Sequence, residues 1–247
     1  TFFKVVYRRH TNFSMEAIEQ TFDGTINYGS RVSCTISRNG DLIHKMYIQY
    51  VPNDIVNDSD TPTPEGIVFP KLGCGLLKEV ELEIGGQRID RHYSHWLSAR
   101  EDLFEKNEIA EFHRITSQFF NTGASGTKYQ IMTGNNAGTD DPTYYDSWVG
   151  KSECYMPLQF WFCRNVGLAL PLIALQYHEV KLYWTLPDSS ESLGSGTAMM
   201  SSPSLNNMKL FVDYIYLDTD ERRRFAQVSH EYLIEQLQYE EHASSSS

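Results

Sequence analysis

No stretch of this chain is apolar for long enough to span a bilayer as a helix. The longest such run, Val166 to Leu175, is interrupted by Pro171 and falls well short of the ~20 residues a spanning helix needs. Base is scarce too: 21 Lys and Arg face 32 Asp and Glu, a net charge of −11. That balance argues against a protein that grips nucleic acid by replacing counterions along phosphates, and against a polybasic membrane-surface protein. The four cysteines, Cys34, Cys74, Cys154 and Cys163, form no C-x-x-C pair, so neither a zinc ribbon nor a thioredoxin-type site is present. They are too few for a disulfide scaffold and read as reduced, buried thiols of an intracellular protein.

Catalytic signatures are missing as well. Neither G-x-S-x-G nor G-x-G-x-x-G occurs, which leaves hydrolase and dinucleotide readings without support. Gly150-Lys151-Ser152 resembles the end of a phosphate-binding loop, but Tyr145 stands where the motif needs its first glycine. There is no H-x-H pair; His92 and His95 straddle a strand-to-helix junction and read as surface histidines. Glu81 and Glu83 fall on the wet face of a strand, and Asp140 and Asp141 in a loop. Neither pair is by itself a glycosidase dyad, whose spacing across a cleft a sequence does not display. The basic clusters, Arg8-Arg9-His10 and Arg222 to Arg224, are small, and acids precede the second, so local ion pairing is expected there. No enzyme activity, metal or cofactor is expected.

What the chain does have is length and aromatic mass. Its 247 residues are 40% hydrophobic and 13% aromatic, enough to build a real core and to exclude wholesale disorder. Alternation dominates. Val32, Cys34 and Ile36 interleave with Arg31, Ser33, Thr35 and Ser37, the period-two pattern of a half-buried strand. Residues 42–50 repeat it, with Leu42, Met46, Ile48 and Tyr50 on one side, and Asn39-Gly40 between the two runs predicts a hairpin. A second hairpin joins 80–84 to 87–91 through Gly85-Gly86, with Leu82 expected opposite Ile89 and Glu83 opposite Arg88. Residues 180–186, with Val180, Leu182, Trp184 and Leu186 inward, and 209–217 read as strands; 2–7 and 18–22 are further β-rich segments.

One helix is predicted over 94–106, capped by Ser94 and burying Trp96, Leu97, Arg100, Leu103 and Phe104; residues 108–120 could continue it. Three long connections, 52–70, 121–150 and 188–207, are rich in Pro, Gly, Ser, Asn and Asp, and loops of that length are commonly functional. Tyr144, Tyr145 and Trp148 in the second would suit a sugar-stacking platform, the alternative reading for this chain. Asn12 and Asn57 head N-x-S sequons. Many short strands with long loops point to an all-β sandwich or jelly roll. After residue 217 comes a charged segment, acids before bases as a short helix prefers, then an extended-looking run, HEYLIEQLQ.

Four blocks carry more than composition. FFKVVYRRHTNFSMEAIEQTF (2–22), VELEIGGQRIDRHYSHWL (80–97), LQFWFCRNVGLALPLIALQYHEVKL (158–182) and VDYIYLDTDERRRFAQVSHEYLIEQLQ (212–238) closely resemble, in the same order, the major capsid proteins of nucleocytoplasmic large DNA viruses. A departure is Val166, where that family usually has proline. The resemblance implies an eight-stranded antiparallel jelly-roll sandwich with one or two short helices, the first of two in tandem. On that reading 1–217 is the first jelly roll, and 218–247 is a linker with the first strand of a second, the chain being cut or unresolved at both ends. The resemblance further implies homotrimeric, pseudo-hexameric capsomers tiling an icosahedral shell. Partners would be neighbouring capsomers and minor capsid or penton proteins, with an internal viral membrane nearby but not spanned and no direct contact with nucleic acid. The protein would be a virion component assembled in the host cytoplasm, with the three long loops as the candidates for its outer surface.

Overall fold

The computed structural model describes residues 11–51, 72–105, 128–133, 153–188, 205, 207–228 and 231–240. Among them run strands β1 (Phe13–Gln20), β2 (Arg31–Thr35), β3 (Leu42–Tyr50), β4 (Glu79–Ile84), β5 (Gln87–Tyr93), β6 (Cys154–Pro157), the two-residue β7 (Leu170–Pro171), β8 (Val180–Thr185) and β9 (Lys209–Leu217). Short helices punctuate them: α1 (Leu72–Gly75), α2 (Ser94–Phe104), α3 (Lys128–Thr133), α4 (Trp161–Arg164) and α5 (Thr219–Gln227). One sheet has the order β1-β9-β3-β6, with β7 also on β3; the other has the order β2-β8-β4-β5. Every pairing is antiparallel.

With β7 set aside, the chain changes sheet at every strand-to-strand step except β4 to β5, and the result is the jelly-roll sandwich expected from the sequence. Alternation explains the core. Val32 and Cys34 of β2, Val80 and Leu82 of β4, and Leu182 and Trp184 of β8 meet Met46, Ile48 and Tyr50 of β3 and Leu210, Val212 and Tyr214 of β9 in one buried cluster. Residues 180–186 and 209–217 thus behave as read.

The Gly85-Gly86 hairpin forms, with φ of 61° and 83° at the two glycines, the left-handed pair that a two-residue turn demands. Its register slips between Leu82 and Glu83: Glu83 does face Arg88, but Leu82 faces Asp90, and Ile89 is the residue bulged out. The hairpin expected through Asn39-Gly40 does not exist, because β2 pairs with β8 and β3 with β9, β6 and β7 in the opposite sheet. The Asn39-Gly40 segment is instead a crossing between sheets. A bulge between Ile43 and Met46 also moves Leu42 off the side shared by Met46, Ile48 and Tyr50, into a small second cluster with Ala169 and Ile215.

Gly40 makes that crossing possible. A Cβ built there would lie 2.8 Å from Tyr214 Cβ and 3.3 Å from the Ile215 carbonyl oxygen, neither of which moves without shifting β9. The Gly40→Ala variant should therefore lose about 1–3 kcal/mol of stability, seen as a lower thermal midpoint; an unchanged midpoint would show that the crossing has room to spare.

Helix α2 differs from expectation in two ways. Its buried residues are Leu97 and Glu101, whereas Leu103 and Phe104 are exposed, since the helix leans on α1, where Cys74 Sγ lies 3.7 Å from Glu101 Oε2. Ser94 is the first helical residue and not the cap, and no side chain caps that end. Strand β1 starts earlier than the 18–22 segment and ends at Gln20. Residues 2–7 and 108–120 lie outside the described residues, as does most of the three long connections; α3 falls within the second of these.

Candidate functional site

The two outer faces of the sandwich differ in chemistry. On the β2-β8-β4-β5 sheet, Glu81 sits mid-strand with its side chain only 8% accessible, hydrogen-bonded to Arg31, 3.2 Å from Arg88 and 3.7 Å from Arg91. It was expected on the solvent face with Glu83. The face is right, but arginine stems from two other strands of the sheet, Arg31 of β2 and Arg88 and Arg91 of β5, cover it. Arg31 lies 4.9 Å from the Tyr183 ring centroid and Arg91 5.0 Å from that of Tyr93, so the cations are held between carboxylates and rings. This is a finished polar surface whose charges are paired internally.

The other sheet presents aromatic groups. Tyr47 of β3 stacks on Phe211 of β9 with centroids 6.0 Å apart and meets Tyr155 of β6 edge-on at 6.2 Å. Its hydroxyl donates to Asp213 Oδ1 at 2.9 Å, while Gln49 Nε2 donates to the Tyr155 hydroxyl at 2.9 Å. Next in the sheet, edge strand β1 exposes Phe13 and Met15. Rigid rings with satisfied polar ends, continuing into exposed apolar side chains, suit contact with another protein surface. Part of their signal was in the sequence: Tyr47, between Met46 and Ile48, occupies a position that alternation assigns to solvent, whereas 154–157 was not read as a strand and no inward face was assigned within 209–217.

A third region lies where the chain leaves the sandwich. An open cavity of about 510 Å³ is walled by Trp161, Leu170, Leu175, Phe225, Tyr232 and Ile234. Asp41, buried at the sheet crossing, receives the Leu217 N–H at 2.8 Å and Arg222 in bidentate fashion, 3.0 Å on each oxygen. Arg222 was expected to pair locally; it reaches back to Asp41 instead, and only Arg224 pairs within its own helix, with Glu221. Arg8, Arg9 and His10 lie outside the described residues.

The remaining candidates bear no catalytic arrangement. His92, expected at the surface, is buried: its Nε2 lies 2.9 Å from Asp90 Oδ2 and its ring sits between Phe160, 4.6 Å away, and Trp96, 4.3 Å away. His95 is exposed. Among the described residues no group of three or more His, Cys, Asp or Glu could hold a metal ion, and no helix is long and apolar enough to cross a membrane. All four cysteines are buried and form no disulfide. Burial pushes the Cys34 and Cys163 thiols up to about 12, the opposite of a reactive nucleophile. Asn12 is exposed immediately before β1; Asn57, Tyr144, Tyr145, Trp148, Asp140, Asp141 and Gly150 to Ser152 lie outside the described residues.

Comparison with known proteins gives this geometry a context. Residues 1–218 match the family described as major capsid protein N-terminus. The chain is 50% identical over its whole length to the major capsid protein of Pyramimonas orientalis virus, covering 55% of that protein. It is 42% identical to the major capsid protein of Paramecium bursaria Chlorella virus 1, with 97% of this chain and 48% of that one aligned. It thus spans about half the length of these relatives. Among solved structures it resembles a quasi-atomic model of the PBCV-1 virus capsid, with a TM-score of 0.68 and 42% identity over 96% of this chain and 50% of that one. The Faustovirus major capsid protein shares the fold at 12% identity, with a TM-score of 0.56 over 91% of this chain and 58% of that one.

Proposed function

The chain belongs to the major capsid protein family, and from that premise we propose that it is the first jelly roll of a structural subunit that builds the shell of a large icosahedral double-stranded DNA virus. Its work is binding, with no catalytic step and no cofactor. The complete protein assembles as a homotrimer of pseudo-hexagonal outline, and trimers tile the shell and meet minor capsid or penton proteins. The internal viral membrane lies nearby and is not spanned, and the genome is not touched directly, in keeping with the net charge of −11. The subunit is made and assembled in the host cytoplasm and ends in the virion. Residues 218–247 form the linker and the first strand of a second jelly roll. The long loops around Asn57 and around Tyr144, Tyr145 and Trp148 face outward, with Asn57 and Asn12 as glycan acceptors.

The observation that carries this reading is the contrast between a self-paired polar face and an aromatic face that runs into exposed Phe13 and Met15. A shell subunit needs such a contact surface, whereas a sugar-binding domain or an enzyme needs a concave site with convergent polar groups. Light scattering of the complete protein at neutral pH should give a trimer. Replacing Phe13 and Met15 together by Ser should weaken association at least tenfold while leaving the far-ultraviolet spectrum unchanged. A stable monomer throughout the micromolar range would overturn the reading.

A further inference from the structure

The thirty residues after β9 were read from sequence as a linker and the first strand of a second jelly roll, which suggests freedom to swing away from the first. The contacts say otherwise. Asp218 caps α5 by accepting the Thr219 N–H at 2.7 Å. Phe225 of that helix packs on the small cluster of Leu42, Ala169 and Ile215. Asp41 grips Arg222 with both carboxylate oxygens.

Further along, residues 231–240 run past β5, an edge strand of its sheet. Here Asp90 repeats the arrangement: buried in the sandwich, it accepts the Leu237 N–H at 3.0 Å. Gln236 Nε2 donates to the Ile89 carbonyl at 2.5 Å, Glu235 pairs with Arg164 at 2.7 Å, and Tyr239 meets Tyr93 at 4.4 Å between centroids. The bulge that sets Asp90 opposite Leu82 exposes the Ile89 carbonyl to Gln236.

We propose that residues 218–228 and 231–240 act as a strap held to the sandwich at two buried aspartates, Asp41 and Asp90, so that the outgoing chain leaves in one fixed orientation, with Asp90 as the point of release. The two clamps differ in kind. At Asp41 the partner is a guanidinium, bidentate and charge-assisted. At Asp90 the partner is a single backbone N–H, and β5 forms no strand ladder with the strap; each contact there involves a side chain. Such a segment covers a sheet edge that would otherwise invite pairing by another chain, yet detaches without dismantling the sheet. Between the clamps the strap touches the sandwich through Tyr232 and Ile234, which wall the open cavity, while Leu233 points to solvent. Release at Asp90 would therefore open that cavity and free the β5 edge together. The inference goes beyond the capsid reading: on that reading 231–240 is the start of the second jelly roll, and the strap contacts would hold that start against β5 of the first.

Hydrogen exchange read by mass spectrometry on the chain tests it. In the native protein, peptides covering 231–240 should exchange at least tenfold more slowly than an unstructured segment. Asp90→Ala should remove that protection, while Asp90→Asn, which keeps an acceptor oxygen, should retain most of it. Arg222→Ala should loosen peptides from α5. Because Asp90 also faces His92 in the core, Leu237→Pro supplies the decisive variant: it deletes the N–H donor without touching the sandwich. It should free 231–240 with β8 peptides unchanged. Fast exchange of 231–240 in the native chain, or protection that survives Leu237→Pro, would overturn the strap.

Discussion

Trp184→Ala is expected to abolish most or all of the chain's stability. Trp184 lies on β8, an inner strand paired to both β2 and β4, opposite Val32 on one side and Val80 on the other. It is fully buried, tilts against Phe22 at 5.6 Å, and its indole N–H donates to the Leu76 carbonyl at 3.0 Å. Truncating a buried Trp costs ~3–5 kcal/mol, and leaving a buried carbonyl without its donor adds ~1–3 kcal/mol. Domains are stable by only about 5–15 kcal/mol in total. Trp184→Phe keeps a ring but loses the donor, so it should cost about 1–3 kcal/mol. Urea unfolding followed by far-ultraviolet circular dichroism separates the two variants. If Trp184→Ala unfolded within 1 kcal/mol of the parent, the core as drawn would be wrong.

The inward position of Trp184 was legible in advance, and the reason shows where sequence reasoning holds. Val180, Leu182, Trp184 and Leu186 alternate, and alternation survives folding because one face of a strand must be dry. Its hydrogen-bond partner was not legible, since the Leu76 carbonyl lies 108 positions away. The same division explains the two hairpins. Gly85-Gly86 dictates local backbone, so its turn formed. Asn39-Gly40 offered a similar local signal, but the partner of β2 is β8, some 150 residues later, and closure of two sheets around one core outweighed the turn. Bulges behave likewise: nothing local marks the slips at Ile89 or between Ile43 and Met46, yet each changes which residues face inward or across.

The assembly surfaces were half visible for the same reason. Tyr47 at a wet position of β3 could be read from alternation alone, whereas Tyr155 of β6 and Phe211 of β9, and the assembly of all three into one face, needed the sheet order. Charge was harder. Glu81 took its hairpin neighbours Arg88 and Arg91 but added the distant Arg31, and Arg222 took the distant Asp41. Burial decides such choices, because a carboxylate removed from water must keep a cation or several donors close. His92 belongs with them: only packing between Phe160 and Trp96 made a core residue of it.

The same burial makes the fold sensitive to alkali. Burial is the largest cause of the raised Cys34 and Cys163 thiols, which move from an ordinary 9.0 up to about 12. It is also the largest cause at Tyr47, where the hydrogen bond to Asp213 adds to it, and at Tyr50, Tyr129 and Tyr214. Each of these groups stays protonated in the folded chain at a pH where the unfolded chain has released the proton. The unfolded state then binds fewer protons, so stability falls as pH rises. The contribution is complete below about 9 and is lost progressively as pH climbs through the folded values, toward 12 for the thiols. A fully buried group such as the Cys163 thiol steepens the loss by about 1.4 kcal/mol per pH unit within its window, and the partly exposed Cys34, Tyr47 and Tyr214 add less because water screens them. Unfolding midpoints should therefore be flat from neutral pH to about 9 and then drop steeply. Two controls tie the drop to its cause. The thiols should resist a disulfide exchange reagent until the chain unfolds, because thiolate is absent from the folded state. Cys163→Ala should make the decline shallower even if it lowers the neutral plateau through lost packing. A midpoint that held level to pH 11, or thiols that reacted at full speed in the native chain at pH 8, would contradict the buried, protonated core on which the whole sandwich rests.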